Sequence, residues 1–299
     1  MKILVMGAGA IGSFFGGLLS EKNKVVLVGR KPHVEKIKRF GLKIKGKTKL
    51  KVDILAVESV DELSENFDLI LLTVKSFDTN KAVKQLKKVI SKKTIVLSLQ
   101  NGLDNIKIIT KYVDKKNLLL GVTSNGVIFE KPGVINHTGI GYTTIGKINN
   151  KNIKKAKEVT EIFNNSGIKT TFNSDILKEI WIKAIVNSSI NPVTTFFKCK
   201  NGYLLENSVL KNLVENICKE STNIARSENF NLDFSKMYEK TKSVIIDTKN
   251  NYSSMLQSFL NNKPLEIDSI NGFLIEVGKK NKVETILNEI LVFSVKSII

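Results

Sequence analysis

Apolar residues arrive in short unbroken runs over the first half of the chain. Ile3-Leu4-Val5-Met6, Lys24–Val28, Phe67–Val74, Thr94–Leu97 and Leu118–Val122 are each closed by polar or turn-forming residues. Runs of this length predict buried strands, and their apolar continuity predicts parallel pairing covered on both faces. Stretches with helical spacing fall between them, through Phe14, Phe15 and Leu18 and again through Val83, Leu86 and Ile90. Strands alternating with helices predict an α/β sheet. Apolar and polar residues alternate around a turn from Gly41 to Val52, which predicts a small two-stranded excursion. An alternating run around Tyr142–Ile145, punctuated by Gly139, Gly141 and Gly146, predicts the last strands of this half, followed by a Lys/Asn-rich helix (151–165) and a strand at Lys169–Phe172. From Ser174 onward the spacing is helical throughout, with caps such as Ser174-Asp175 and no convincing strand. The boundary therefore falls near 172, giving domains 1–172 and 173–299.

The first run leads directly into Gly7-Ala8-Gly9-Ala10-Ile11-Gly12 and then into a helix. Strand, glycine turn and helix start together form a dinucleotide-binding fingerprint, so the first domain is predicted to be of Rossmann type. Gly7 allows the tight turn, Gly9 lets backbone approach a pyrophosphate, and Gly12 lets the helix pack against the strand. In such units an acidic residue about 20 positions on binds the ribose of NAD. No Asp or Glu occurs from Lys24 to Val34, and the second strand ends instead in Gly29-Arg30-Lys31. A carboxylate would repel a 2′-phosphate, whereas Arg30 and Lys31 would attract one. That pattern predicts NADPH/NADP rather than NADH. Three of the strands deliver polar residues at their C-terminal ends: Lys75-Ser76-Phe77-Asp78, Gln100-Asn101-Gly102 and Ser124-Asn125-Gly126. In open α/β sheets that edge receives ligands.

Composition narrows the class. Of 299 residues, 42% are hydrophobic and 25% charged, as in a soluble globular protein, and no run approaches the length of a membrane span. Cys199 and Cys218 lack metal spacing and suggest no disulfide framework, which fits a cytoplasmic setting. The net charge of +19 suggests anionic partners, but the basic residues are scattered and only three of 47 are arginine. That distribution argues against a nucleic-acid surface, which clusters its cations and favours arginine. His33 and His137 are isolated, so no metal site is expected.

The second domain opens on Ile180-Trp181-Ile182-Lys183-Ala184-Ile185-Val186-Asn187-Ser188-Ser189-Ile190-Asn191-Pro192. Lys183, Asn187 and Asn191 are spaced i, i+4, i+8 and share one face of a helix that is apolar nearly all round. Burying an ammonium and two amides costs free energy unless each finds a partner. Two readings stay open on the residues alone. Lys183 snorkels to water while the amides tie loops together, or the stripe is the wall of a substrate site with Lys183 as a general acid. Further on, Ser253 and Ser254 have the look of helix caps, and Glu266 that of a carboxylate at a helix start with core residues Ile267, Ile270, Leu274 and Val277.

The chain resembles the ketopantoate reductase (2-dehydropantoate 2-reductase) family over nearly its whole length. The resemblance rests on GAGAIG at 7–12, TVKSFDT after the central strand, QNG at 100–102, the WIKAIVNSSINPVTT block, Asn201-Gly202, SSMLQ at 253–257 and LEIDSINGFL at 265–274, all in order and near the expected spacing. It implies reduction of the 2-keto group of ketopantoate by NADPH, giving pantoate for pantothenate and coenzyme A synthesis. It also implies a role for each matching residue. Lys183 corresponds to the proton donor. Asn101 contacts both cofactor and substrate, and Asn187, Asn191, Asn201 and Ser254 hold the substrate. Lys75, Gly126 and Glu266 join Gly7–Gly12 and Arg30 on the cofactor side. The implied partners are a small 2-keto acid and the cofactor, with no nucleic acid and no membrane, in a monomer or homodimer. Competing readings are a reductase of another 2-keto acid on the same plan and a non-catalytic NADP(H)-sensing protein.

Overall fold

In the computed structural model the described residues are 1–148 and 153–299. They form two compact units, Met1–Gln100 with Asn105–Glu179, and Asn101–Asp104 with Ile180–Ile299. The short predicted segment 151–152 at the head of the Lys/Asn-rich helix lies outside the described residues; the helix is observed as α5 (Ile153–Asn165), after α1 (Ala10–Ser20), α2 (Lys31–Phe40), α3 (Thr79–Leu86) and α4 (Asn105–Ile109).

The first unit is built on six parallel strands: β1 (Lys2–Met6), β2 (Lys24–Val28), β5 (Leu55–Val57), β6 (Leu69–Leu72), β7 (Ile95–Ser98) and β8 (Leu118–Thr123). Their spatial order is β5-β2-β1-β6-β7-β8, the doubly wound order of dinucleotide-binding folds. β11 (Thr143–Gly146) extends the sheet antiparallel to β8, and β12 (Thr170–Phe172) runs parallel to β11. Ile3, Leu4, Leu27, Leu69, Ile70, Leu71 and Leu72 are wholly buried, as strands covered on both faces require.

The excursion predicted over 41–52 is larger than two strands. β3 (Leu42–Gly46) and β4 (Leu50–Val52) join β9 (Gly126–Lys131) and β10 (Val134–Gly139) in a second sheet of order β4-β3-β10-β9. Gly139 therefore ends β10 rather than preceding the last strand. This sheet explains the composition of helix α1 (Ala10–Ser20), in which every residue from Gly12 to Leu19 is buried. One side meets the main sheet and Phe15 meets Phe163, with ring centres 5.6 Å apart; Phe14 meets His137 of β10 at 4.5 Å. A helix covered on two sides reads as apolar all round.

Two buried histidines tie the small sheet down. The Gly133 N–H donates to Nδ1 of His33 at 2.9 Å, so the ring proton sits on Nε2, which donates to Ser13 Oγ at 3.0 Å. Thr48 donates its hydroxyl proton to His137 Nδ1 (2.8 Å), and His137 Nε2–H donates to the Gly139 carbonyl (2.9 Å). Burial lowers both imidazoles, His33 to about 4 from 6.5. A base depressed in the folded state contributes stability that is complete above its unfolded value and lost as pH falls toward its folded one. Between pH 6.5 and 4 the His33 site should therefore remove about 3 kcal/mol from unfolding stability. Denaturant unfolding of His33→Asn, which keeps an acceptor for Gly133, should show a shallower loss over that window than wild type. Parallel profiles for the two proteins would contradict it.

The second unit is helical: α6 (Ile176–Phe197, its first turn in the first unit), α7 (Tyr203–Glu206), α8 (Ser208–Ser227), α9 (Phe234–Asp247), α10 (Ser254–Leu260), a π-helical turn (Asp268–Gly272), α11 (Phe273–Lys280) and α12 (Ile286–Lys296). Asn207 caps α8 by accepting from the Val209 and Leu210 N–H groups, and Asp233 caps α9 by accepting from Lys236 N–H. The core face of α8 is Leu210, Val214, Ile217, Ser221 and Ile224, at helical spacing. Trp181 packs against Phe230 and Phe273. Ile267, Ile270, Leu274 and Val277 are buried. Among the described residues no helix is long and apolar enough to cross a membrane.

Candidate active site

The first unit supplies a candidate anion-binding edge. β1 ends at Gly7, whose φ of +112° is rarely open to an L side chain, and a Cβ there would lie 2.6 Å from the Val74 backbone nitrogen. Gly9 is exposed, and a Cβ built on it would meet nothing within 4 Å. Space over Gly9 and the N–H groups of the first turn of α1, which have no acceptor inside the helix, fit a pyrophosphate. Ala8 is buried, and Ala10 and Ile11 are half-buried in that turn.

Neighbouring loops hold this edge in place. Thr73, just past β6, donates its hydroxyl to the Gly7 carbonyl at 2.9 Å. Gln100, past β7, donates to the Val74 carbonyl (2.9 Å) and to Thr79 Oγ1 (2.7 Å). Gln100 was legible as a polar residue at a strand C-terminus, whereas Thr73 was given no role from sequence. Arg30 is exposed in extended backbone directly before α2 (Lys31–Phe40), with exposed Lys31 beside it. Lys75 is exposed at the head of a single 3₁₀ turn, Ser76–Asp78. Gly126 is half-buried at the first position of β9, paired with Gly139.

The second unit gathers the other predicted residues. On α6, Lys183 and Asn187 are half-buried and Asn191 is 6% exposed. Thr194 lies eleven residues after Lys183, three turns of helix, and so extends the same face. Its hydroxyl donates to Ser253 Oγ at 2.7 Å. Ser253 also accepts from the Leu256 N–H and caps α10, which leaves Ser254 exposed at the first position of that helix. The cap expected at this pair is thus Ser253 alone. The polar stripe runs Lys183, Asn187, Asn191, Thr194 and ends on the Ser253-Ser254 pair. Thr194 is the member sequence reasoning missed, although its spacing was visible.

Asn201 stands apart from that stripe in sequence but is equally buried. Its N–H donates to the Asn251 carbonyl (3.0 Å) and its Nδ2 to Thr248 Oγ1 (2.8 Å), while Oδ1 is buried without a partner among the described residues. A buried acceptor left unmet costs about 1–3 kcal/mol, a cost that a ligand hydroxyl would remove. Glu266 is buried just before the π-helical turn, and its carbonyl accepts from the Ile270 N–H. Asn101 is half-buried and belongs with the second unit; at the adjacent Gly102 (φ +90°) a Cβ would lie 2.9 Å from the Ser269 carbonyl oxygen. The structure thereby brings the QNG turn to the Glu266 segment.

The "Ketopantoate reductase PanE/ApbA" family model matches residues 3–150, and its C-terminal counterpart matches 175–298. The 2-dehydropantoate 2-reductase of Pyrococcus abyssi (strain GE5 / Orsay) is 39% identical over 292 residues, covering 97% of this chain and 95% of that protein. Among solved structures, D-mandelate dehydrogenase with NADH and anilino(oxo)acetate matches with a TM-score of 0.94 at 30% identity, covering 99% of this chain and 97% of the other. A PanE/ApbA family ketopantoate reductase from Ralstonia eutropha JMP134 matches with a TM-score of 0.92 at 25% identity, covering 100% and 98%. With both halves of its length matched and the glycine turn and α6 stripe in place, the chain belongs to the ketopantoate reductase family.

Proposed function

We propose that this protein is a cytoplasmic, NADPH-dependent 2-dehydropantoate 2-reductase, with residues 1–172 holding the cofactor and 173–299 the 2-keto acid. The observation that carries the reading is the α6 stripe, a lysine and two amides on a largely apolar helix, ending at an exposed serine hydroxyl. When bound, the nicotinamide supplies a hydride to the ketone carbon. Negative charge then develops on the ketone oxygen, where Lys183 Nζ stabilises it and donates the proton that completes the alcohol. Asn187, Asn191 and Ser254 offer neutral donors to the substrate carboxylate, so no permanent cation is needed beside Lys183. Asn201 would offer its amide to a substrate hydroxyl. Gly7–Gly12, with Ala8, Ala10 and Ile11, cradle the pyrophosphate, Arg30 meets the 2′-phosphate, and Lys75, Asn101, Gly126 and Glu266 complete the cofactor contacts.

The test is NADPH oxidation on adding ketopantoate, with pyruvate, 2-ketoisovalerate and benzoylformate alongside. Ketopantoate should give the highest kcat/KM. A higher value for benzoylformate would favour a second reading, a D-2-hydroxy acid dehydrogenase, which the likeness to D-mandelate dehydrogenase raises.

The cofactor is tested separately at Arg30. A charge-assisted contact to phosphate contributes roughly 1.5–3 kcal/mol, so Arg30→Asp should lower kcat/KM for NADPH by about 10- to 100-fold and change NADH little. A wild-type protein that uses both nucleotides equally, or NADH better, would refute the NADPH assignment.

A further inference from the structure

Helix α6 contains Pro192 in its interior. A proline there has no N–H to give the carbonyl four residues earlier. That carbonyl belongs to Ser188, between Asn187 and Asn191. It is nevertheless satisfied, because Asn271 Nδ2 donates to it at 3.3 Å. Asn271 is wholly buried and lies in the π-helical turn that follows Glu266. Single π turns occur disproportionately at functional sites.

The orientation of the Asn271 amide follows from a charge two residues away in the network. Glu220, on α8, accepts from the Leu287 and Asn288 N–H groups at the start of α12, both at 2.9 Å, and from Asn288 Nδ2 at 2.7 Å. A carboxylate that accepts here forces the Asn288 amide to point its NH₂ at Glu220 and its Oδ1 the other way. Asn271 Nδ2 donates to that Oδ1 at 2.9 Å, and the same NH₂ reaches Ser188. Asn271 Oδ1 is buried without a partner among the described residues. The side chain is thus held for its two donors, at the cost of its acceptor.

We infer that Asn271 is a positioning residue, which replaces the N–H missing at Pro192 and fixes the Glu266–Gly272 segment against α6 at the level of Asn187 and Asn191. The inference rests on reading α6 as the substrate wall; Asn271 itself touches no reacting group. Loss of the donor frees the Ser188 carbonyl below Pro192 and lets the turn carrying Asn191 shift relative to that carrying Glu266.

A double-mutant cycle tests this, because alanine at 192 restores an N–H to the Ser188 carbonyl from within the helix. Asn271→Ala should lower kcat/KM for ketopantoate about tenfold, mainly through KM. Adding Pro192→Ala should recover most of that kinetic loss along with most of the lost melting temperature, whereas a merely structural role would move the melting temperature and leave KM unaltered in every folded variant. Additive kcat/KM values among folded variants, or a wild-type kcat/KM for Asn271→Ala, would overturn the inference. If Asn271→Ala does not fold, Glu220→Gln supplies the second variant. It keeps Asn271 but removes the charge that orients the relay, and it should show the same KM-weighted loss; unaltered kinetics would overturn the inference equally. Wild-type protein that reduces a different 2-keto acid would refute the proposed substrate instead, and the cycle is then read on the acid that turns over. If no acid turns over, additivity in melting temperature overturns the inference and non-additivity sustains it.

Discussion

Lys183→Ala should lower kcat for ketopantoate by at least about 10²–10⁴-fold, the range for loss of a general acid, with lost stabilisation of the developing oxyanion added to it. The interaction belongs to the transition state, so kcat and kcat/KM should fall together. NADPH affinity should hold, because Gly7, Gly9, Gly12, Arg30 and Lys75 are untouched. The opposing reading, a half-buried lysine that only packs its stem along α6, forecasts a small change in melting temperature and near-normal turnover. Kinetics, NADPH titration and a thermal melt on this one variant separate the two. A folded variant with normal kcat ends the catalytic assignment.

The second large effect is expected at Gly12 and is of a different kind. A Cβ built there would overlap the Gly7 carbonyl oxygen and lie 2.6 Å from Thr73 Oγ1 and 3.0 Å from Val5 Cγ1. The first of these is backbone and cannot swing aside, so α1 must move off β1. Overpacking of this sort costs about 1–3 kcal/mol of stability. The same displacement misplaces the N–H groups of the first helical turn, so NADPH should bind on the order of 10–100-fold more weakly in Gly12→Ala. Gly9→Ala is the control. Its methyl meets no protein atom, so the melting temperature should hold while NADPH affinity falls. Unchanged affinity in Gly9→Ala would mean that the phosphates do not pass over Gly9.

The sequence disclosed those parts of the fold in which one local rule acts alone. The glycine turn, the apolar β6 and the stripe on α6 each follow from a single periodicity or a single steric demand. β5 was not anticipated because three residues, Leu55-Ala56-Val57, are too few to carry a period. The β9–β10 hairpin was missed although Pro132-Gly133 is a strong turn signal, with Gly133 at φ +79°. Its first strand, Val127-Ile128-Phe129, shows no alternation in sequence, because the exposed Ile128 is as apolar as Val127 and Phe129, which pack on the core. His33 and His137 look isolated along the chain, and only the tertiary fold gives each two hydrogen-bond partners. The Asn271–Ser188 bond was unreadable for the same reason, although the proline that makes it necessary was in plain view.

The small sheet laid over α1 has a consequence for motion. Ligand-binding elements are usually drawn from the less stable end of a fold, where local opening is cheap. Here the helix proposed to meet the phosphates is buried along most of its length by layers on two sides. Its amide protons can reach solvent only if the small sheet lifts away or the whole unit unfolds. Deuterium should therefore enter Gly12–Leu19 at the rate set by global unfolding, with or without nucleotide present. Such a helix has no ordering entropy left to lose on binding, so the glycine turn should meet its ligand as a rigid die rather than as a closing hand.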